Sequence, residues 1–95
     1  MRRAKRVSNP FYNSAEWIKL SHKFRSENRW CIKCLNNGRY TPTDDVDHIR
    51  PIKQFPNLAF SEDNLQPLCK KCHVDKTKRD RAGRYYDFVR RKVYE

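Results

Sequence analysis

Hydrophobic side chains recur at helical spacing near the start of the chain. One aromatic or aliphatic residue returns every three or four positions: Trp17, Leu20 and Phe24. This spacing places side chains on one face of an α-helix. Asn13 precedes the stretch and Glu16 follows three positions later, a capping-box spacing that marks a helix N-terminus. The pattern therefore predicts a helix over residues 14–26 whose aromatic face belongs to the core.

Short extended segments are predicted for the middle of the chain. The Asn-Asn-Gly sequence at residues 36–38 is a turn signal, and we expect residues 39–41 and 45–50 to pair as a β-hairpin. Pro51 ends the second strand, because the residue before a proline is held extended. A loop over residues 51–63 follows, with three apolar side chains expected beneath it: Phe55, Leu58 and Phe60.

Two more helices are predicted in the C-terminal third. The first covers residues 70–79, displays several basic side chains and is ended by Gly83. The second covers residues 84–94, and its apolar face would consist of Tyr85, Phe88 and Val89.

The composition indicates that the fold needs stabilisation beyond its hydrophobic core and that the protein binds a polyanion. The 95 residues carry 22 Lys and Arg against 11 Asp and Glu, a net charge of +11, and 37% are hydrophobic. No apolar run approaches the roughly 20 residues of a transmembrane helix, so no membrane partner is expected. Hydrophobic burial alone seldom stabilises so small a chain. We expect one domain over residues 10–95, a basic mobile arm at residues 1–9, and nucleic acid as the partner.

Four cysteines can supply the missing stabilisation. They form two Cys-x-x-Cys pairs, the spacing of a tetrahedral zinc site. The alternatives are two disulfides, which belong to secreted proteins, and a redox-active pair, which normally occurs once. The basic N-terminal sequence lacks the apolar stretch of a signal peptide, which favours a cytoplasmic protein. We therefore expect a structural zinc ion bound by four thiolates: Cys31, Cys34, Cys69 and Cys72.

Between and beside the cysteines lie side chains suited to hydrolysis. We expect Asp47 and His73 to bind one divalent cation (Mg²⁺, Mn²⁺ or Zn²⁺), with coordination positions left for water and phosphate. Adjacent strand residues point to opposite faces, so His48 would stand apart from the metal and take a proton from water. Asn64 is expected to hold the backbone around His48.

Taken together, these pieces resemble the HNH endonucleases. The matching segments lie within about residues 29–80: the first cysteine pair, Asp-His-Ile-x-Pro at 47–51, Asn-Leu-x-Pro-Leu-Cys at 64–69, and Cys-His-x-x-Lys at 72–76. The resemblance implies an α+β fold, a small ββα-metal finger of one hairpin and one helix. The four-cysteine zinc site would brace this finger, with helices flanking it on the N- and C-terminal sides.

The resemblance also implies an activity, the metal-dependent hydrolysis of DNA phosphodiester bonds by nicking or double-strand cleavage. The products would carry 5′-phosphate and 3′-hydroxyl ends. His48 would be the general base, and Asn64 would orient its loop. Asp47 and His73 would be ligands of the catalytic metal. DNA is then expected as the substrate in preference to RNA.

Two basic residues near this set, Arg50 and Lys76, are candidates for phosphate contacts. Proteins that resemble this one are often encoded by bacteriophages, which implies a bacterial host cytoplasm and genome-packaging proteins as partners. The alternative function is a non-catalytic, zinc-stabilised nucleic-acid-binding module with the same basic charge. Asp47 and His48 favour the nuclease, because a binding module gains nothing from a carboxylate beside a phosphate.

Overall fold

The structure is a computed structural model that describes residues 10–95. The predicted basic arm at residues 1–9 lies outside the described residues. The helices and strands, in chain order, are α1 (Ala15–Glu27), α2 (Ile32–Asn36), β1 (Asp45–His48), β2 (Leu65–Leu68), α3 (Lys70–Arg81), β3 (Tyr85–Asp87) and β4 (Lys92–Tyr94). These elements confirm the α+β class. None of the helices within residues 10–95 has the length and apolar character needed to cross a membrane.

Helix α1 confirms the predicted N-terminal helix, with one correction at its start. The N-cap is Ser14, whose hydroxyl accepts a hydrogen bond from the backbone N–H of Trp17. Asn13 belongs instead to a preceding 3₁₀ turn. Serine and asparagine are comparably good N-caps, so the sequence could not separate the two neighbours. The predicted aromatic face is buried, with Trp17 and Phe24 in the core.

Strand β1 pairs with β2 and not with residues 39–41, which corrects the predicted hairpin. The two strands are antiparallel, with Asp47 opposite Gln66 and His48 opposite Leu65. Strand β2, which follows β1 in the sequence, therefore takes the position expected for residues 39–41, which precede it. The ββα unit consists of β1, β2 and α3, with a long loop between its strands.

Residues 39–41 are bound to the first cysteine pair instead. The backbone N–H of Cys31 donates to the carbonyl of Thr41 at 2.7 Å, and the N–H of Arg39 donates to the carbonyl of Cys34 at 2.8 Å. These bonds use the backbone groups that a strand pairing with β1 would need. The segment therefore closes a turn around the cysteines.

Helix α3 confirms the helix predicted at residues 70–79 and runs slightly beyond it, to Arg81. It ends before Gly83, which has a φ of +78°. A left-handed residue after the last turn is a common helix terminator, and glycine adopts this conformation without strain.

The predicted C-terminal helix over residues 84–94 is wrong, because this segment forms the antiparallel hairpin β3–β4. The carboxylate of Asp87 accepts hydrogen bonds from the N–H groups of Val89 and Arg90 and so stabilises the turn. Arg91 completes the turn with a φ of +59°. Aromatic and β-branched residues favour strands, and here that preference outweighs the helical spacing.

The loop over residues 51–63 departs from the prediction at one side chain. Phe55 and Leu58 are half-buried as expected, but Phe60 is 47% exposed. Ala59 is the residue that points inward. The loop therefore presents a small side chain to the interior beside β1, which leaves room for the ring of His48.

The β1–β2 sheet separates two packed regions. On one face, Val46 and Leu65 pack with the aromatic side chains of α1. On the other, Leu68 packs among the four cysteines and lies close to Phe88. Because alternate strand residues point to opposite faces, Val46 and His48 on β1 face α1, whereas Asp45 and Asp47 face α3.

Candidate active site and metal centres

The four cysteines come together in one buried cluster. Their sulfur atoms all lie within 4.8 Å of one another, and Cys34 Sγ is 4.0 Å from Cys69 Sγ and 3.9 Å from Cys72 Sγ. Tetrahedral zinc with Zn–S bonds of about 2.3 Å separates its sulfurs by roughly 3.8 Å. All four cysteines are free thiols, at distances far beyond the roughly 2.05 Å of a disulfide. The cluster therefore fits a zinc ion.

Local structure brings the two pairs into this cluster. The first cysteine of each pair immediately precedes a helix, Cys31 before α2 and Cys69 before α3. The second cysteine of each pair lies in the first turn of that helix. A hydrogen bond with Thr41 is the main cause that lowers the pKa of Cys34 to about 7. Burial raises the pKa of Cys31 and Cys72. Binding of zinc at this cluster therefore displaces protons from buried thiols.

His48 is buried on the face of β1 that packs against α1. Its ring stacks on Trp17 with centroids 4.7 Å apart, and its Nε2 lies 3.0 Å from the carbonyl oxygen of Ala59. A carbonyl oxygen only accepts, so Nε2 carries the hydrogen and donates. Burial lowers the pKa of His48, which favours the neutral ring. Nδ1 is then the nitrogen that carries the lone pair.

Tyr12 faces that lone pair, and sequence reasoning did not identify it. Its hydroxyl lies 3.5 Å from Nδ1 of His48. Burial, followed by the charge of Asp47, raises the pKa of Tyr12, so the hydroxyl keeps its proton. No local pattern could have pointed to this residue, because the contact joins a 3₁₀ turn before α1 to a strand far along the chain.

Asp47 and His73 meet on the opposite face of β1. Nε2 of His73 lies 3.4 Å from Oδ1 of Asp47. Ligand atoms at about 2.1 Å from an octahedral ion lie roughly 3 Å apart in neighbouring positions. A carboxylate and an imidazole are ligands that suit Mg²⁺, Mn²⁺ or Zn²⁺. The pair thus fits two coordination positions of one divalent cation.

Asp45 supports His73 from the other side of its ring, a contact that sequence reasoning missed. Its Oδ2 lies 3.1 Å from Nδ1 of His73. Asp45 and Asp47 are two residues apart on β1 and so share a face. The hydrogen bond to Asp47 is the main cause that raises the pKa of His73. The charge of Asp47 and the contact with Asp45 raise this pKa further. A carboxylate on the far nitrogen is the usual support of a metal-binding histidine.

Lys76 is buried beside Asp47, which corrects the prediction that it contacts phosphate. Its side chain has no exposed surface, and Nζ lies 3.1 Å from Oδ2 of Asp47. It also donates to both carboxylate oxygens of Asp80, at 2.8 and 3.0 Å, and to two backbone carbonyls at the end of β1. The buried carboxylate of Asp47 and the partly buried one of Asp80 need a compensating charge, and Lys76 supplies it.

Asn64 holds the chain that follows His48. Its Oδ1 accepts from the N–H of Arg50 at 3.0 Å, and its Nδ2 donates to the carbonyl of Arg50 at 3.1 Å. Its own carbonyl accepts from the N–H of Ile49 at 2.7 Å. The side chain is buried and makes the kind of backbone contacts expected of a residue that orients this loop.

Arg50 itself points away from the metal-binding pair. Its guanidinium carbon lies 3.8 Å from the ring centroid of Tyr94, on β4, and 5.4 Å from that of Phe55. It lines a cavity of about 270 Å³ together with Asn64. The phosphate contact of Arg50 stays a prediction, now placed beside the C-terminal hairpin.

A cleft of about 250 Å³ joins the two faces of β1. It is lined by Asp47, His48 and His73 together with Tyr12 and the exposed Lys53. The two faces can share a cleft because β1 ends at His48 and the chain turns away directly after it. The structure therefore brings a neutral imidazole and a carboxylate–imidazole pair to one opening.

Comparisons with known proteins agree with this geometry. The sequence profile of the HNH endonuclease family matches residues 31–79. A probable HNH endonuclease of Lactococcus phage SK1 is 33% identical over 79 residues, which is 78% of this chain and 82% of that protein. The crystal structure of the deep-sea thermophilic bacteriophage GVE2 HNH endonuclease with manganese ion is similar with a TM-score of 0.72 and 35% identity, over 77% of this chain and 80% of that one. The chain belongs to the HNH endonuclease family, and it is a hydrolase that cleaves DNA.

Proposed function

We propose that this protein is a metal-dependent endonuclease that hydrolyses DNA phosphodiester bonds in the cleft formed by Asp47, His48 and His73. One observation carries the proposal: the buried His48 lines the same cleft as Asp47 and His73, whose ligand atoms converge. The net charge of +11 suits a polyanionic substrate. Family membership supports DNA as that substrate.

His48 acts as the general base. Its Nε2–H donates to the carbonyl of Ala59, which fixes the ring and leaves Nδ1 to accept a proton from the attacking water. The same carbonyl stabilises the imidazolium that forms after proton transfer. Burial lowers the pKa of His48, which favours the neutral form that can accept a proton.

Asp47 and His73 hold the catalytic cation through Oδ1 and Nε2, and Asp45 fixes the ring of His73 from behind. A divalent cation bound there supplies positive charge that stabilises the transition state and the departing 3′ oxygen. Mg²⁺ and Mn²⁺ both match this pair of ligands. The relative from phage GVE2 was crystallised with manganese, which supports a cation of this class.

The four-cysteine site has a structural role. Four thiolates complete the tetrahedral coordination of zinc and leave no position for water or substrate. Asn64 orients the backbone after His48 through its bonds to Arg50, and Arg50 supplies a phosphate contact beside the C-terminal hairpin, away from the metal-binding pair. One such site cuts one strand at a time, so nicking is the elementary reaction.

The similar proteins from phages SK1 and GVE2 support a phage-encoded role for this chain. We accordingly place the protein in the cytoplasm of an infected bacterium. Genome-packaging proteins are the partners that the resemblance suggests for it.

The wild-type protein, loaded with zinc, is expected to convert supercoiled plasmid to nicked and linear forms when Mg²⁺ or Mn²⁺ is added. An excess of EDTA, added immediately before the plasmid, should stop the reaction. The new ends should carry 5′-phosphate, because the 3′ oxygen is the leaving group. Gel electrophoresis of the plasmid and direct ligation of the product ends measure both outcomes.

Tight DNA binding without cleavage in either metal would contradict this proposal. It would favour the alternative of a zinc-stabilised binding module. A gel-shift assay on the same protein preparation separates the two readings, since both functions predict binding and only the nuclease predicts cutting.

A further inference from the structure

Gln66 is a fully buried polar residue beside the proposed metal site. It lies directly opposite Asp47 in the β1–β2 pair, and its side chain is 0% exposed. A buried amide is costly unless its donors and acceptor are paired. The partners of Gln66 therefore indicate what holds its side chain there.

Three hydrogen bonds fix the amide of Gln66. Its Nε2 donates to Oδ2 of Asp47 and to the carbonyl of Tyr86, both at 2.9 Å. Its Oε1 accepts from the backbone N–H of Phe88 at 2.8 Å. Because the oxygen must face that N–H, the NH₂ group must face Asp47. The backbone of the C-terminal hairpin thus sets the direction in which Gln66 donates.

The contacts of Asp47 divide its two carboxylate oxygens between two tasks. Oδ2 faces the interior, where Gln66 donates to it and the ammonium of Lys76 lies 3.1 Å away. Oδ1 faces the cleft, 3.4 Å from Nε2 of His73. A carboxylate held in this way presents one defined oxygen to a cation.

We propose that Gln66 is a positioning residue that holds Asp47 with Oδ1 directed at the metal site. This inference rests on the proposed function, because it concerns the cation that Asp47 and His73 would bind. Lys76 cannot do the same alone, since its ammonium is shared with Asp80 and two backbone carbonyls. Without Gln66, Oδ2 of Asp47 keeps only the shared ammonium of Lys76, and the carboxylate is free to rotate out of the orientation that directs Oδ1 at the metal site.

The test is calorimetric titration of Mn²⁺ into zinc-loaded Gln66→Met in the absence of DNA. Methionine has a similar length and fills the same space but forms none of the three hydrogen bonds. Loss of such a supporting contact typically weakens metal binding about 10- to 100-fold, and we expect a rise of this size in the Mn²⁺ dissociation constant. Zinc content and DNA affinity should stay as in the wild type. The matched control is Gln54→Met, because Gln54 is exposed and should leave the Mn²⁺ affinity unchanged.

A folded Gln66→Met protein with wild-type Mn²⁺ affinity would overturn the inference. Asp47→Asn separates this failure from a failure of the proposed function. If Asp47→Asn loses Mn²⁺ binding and Gln66→Met keeps it, only the role of Gln66 is wrong. If Asp47→Asn also binds Mn²⁺ normally, the proposed metal site is wrong and the inference falls with it.

A second measurement needs no variant at position 66 and applies if methionine prevents folding. Mg²⁺ is titrated into ¹⁵N-labelled wild-type protein, and the side-chain amide signals of both glutamines are followed by NMR. We expect the Gln66 signal to shift as Asp47 takes up the cation and the Gln54 signal to stay in place. A Gln66 signal that does not move at saturating Mg²⁺ would contradict the proposal.

Discussion

Replacing His48 by alanine is expected to lower the single-turnover rate of DNA cleavage by about 100-fold or more, the usual contribution of a general base. Nδ1 of His48 takes the proton from water in the proposed reaction, and alanine offers no atom in its place. Zinc content and DNA affinity should not change, because the ring contacts neither the cysteines nor the exposed basic side chains that bind phosphate. The measurement is the rate of loss of supercoiled plasmid at saturating Mn²⁺.

The matched control for this variant is His22→Ala. His22 is an exposed histidine on α1, so its loss should leave the cleavage rate unchanged. Because His48 stacks on Trp17, circular dichroism and thermal unfolding must show that the alanine variant is folded at the assay temperature. A folded His48→Ala protein that cleaves plasmid at the wild-type rate would exclude His48 as the base.

Replacing Cys34 by serine is expected to unfold the domain, or to lower its melting temperature strongly, before it alters any catalytic parameter. Structural zinc contributes an apparent binding free energy of about 10–16 kcal/mol in zinc-finger peptides, and a protein this small has little else to replace it. Cys34 also joins α2 to α3 through the cluster around Leu68. The measurements are zinc content by mass spectrometry and thermal unfolding followed by circular dichroism.

Chelation of the wild-type protein provides the matching control for the zinc site. Prolonged treatment with a strong chelator should reproduce the unfolding of Cys34→Ser, and added Zn²⁺ should restore the fold. Unfolding must be the readout here, since the chelator also removes the catalytic cation. A Cys34→Ser protein that is folded, free of zinc and fully active would contradict the structural role of the four cysteines.

The residues of both sites could be predicted from the sequence because short spacings specify them. Each Cys-x-x-Cys pair turns two sulfurs toward one point, and strand alternation alone separates Asp47 from His48. The structure places these side chains as that alternation requires: on β1, His48 faces α1 and Asp47 faces α3. Their catalytic roles are predictions that the experiments above address.

The partner of β1 could not be predicted in the same way. The turn signal favours residues 39–41 as the partner, whereas residues 65–68 contain Pro67, which disfavours a strand. The choice depends on backbone hydrogen bonds between residues 39–41 and the first cysteine pair, which local patterns do not reveal. The helix predicted over residues 84–94 was wrong for a related reason. The spacing of Tyr85, Phe88 and Val89 fits one face of a helix, but it is also compatible with a β-hairpin.

The supporting contacts of the active site left no signal in the sequence. The Cys-His-x-x-Lys pattern singles out Lys76 among 22 basic residues, but its burial against Asp47 and Asp80 is visible only in the structure. Gln66 and Asp45 act on residues that are distant along the chain. Such contacts depend on tertiary packing, so they become visible only in the structure.

If a cation held by Asp47 in this cleft enables DNA hydrolysis, then cleavage by Asp47→Asn must depend on Mn²⁺ differently from cleavage by the wild type. Asparagine keeps the shape, and its one oxygen is drawn to the donors Gln66 and Lys76, so an NH₂ group faces the metal site. The control is Asp63→Ala, whose side chain is 95% exposed. We predict that the wild type and Asp63→Ala share one saturable Mn²⁺ dependence, while folded Asp47→Asn cleaves at least about 100-fold more slowly at the same Mn²⁺ concentration. Cleavage by Asp47→Asn at the wild-type rate, with the same Mn²⁺ dependence, would contradict the claim.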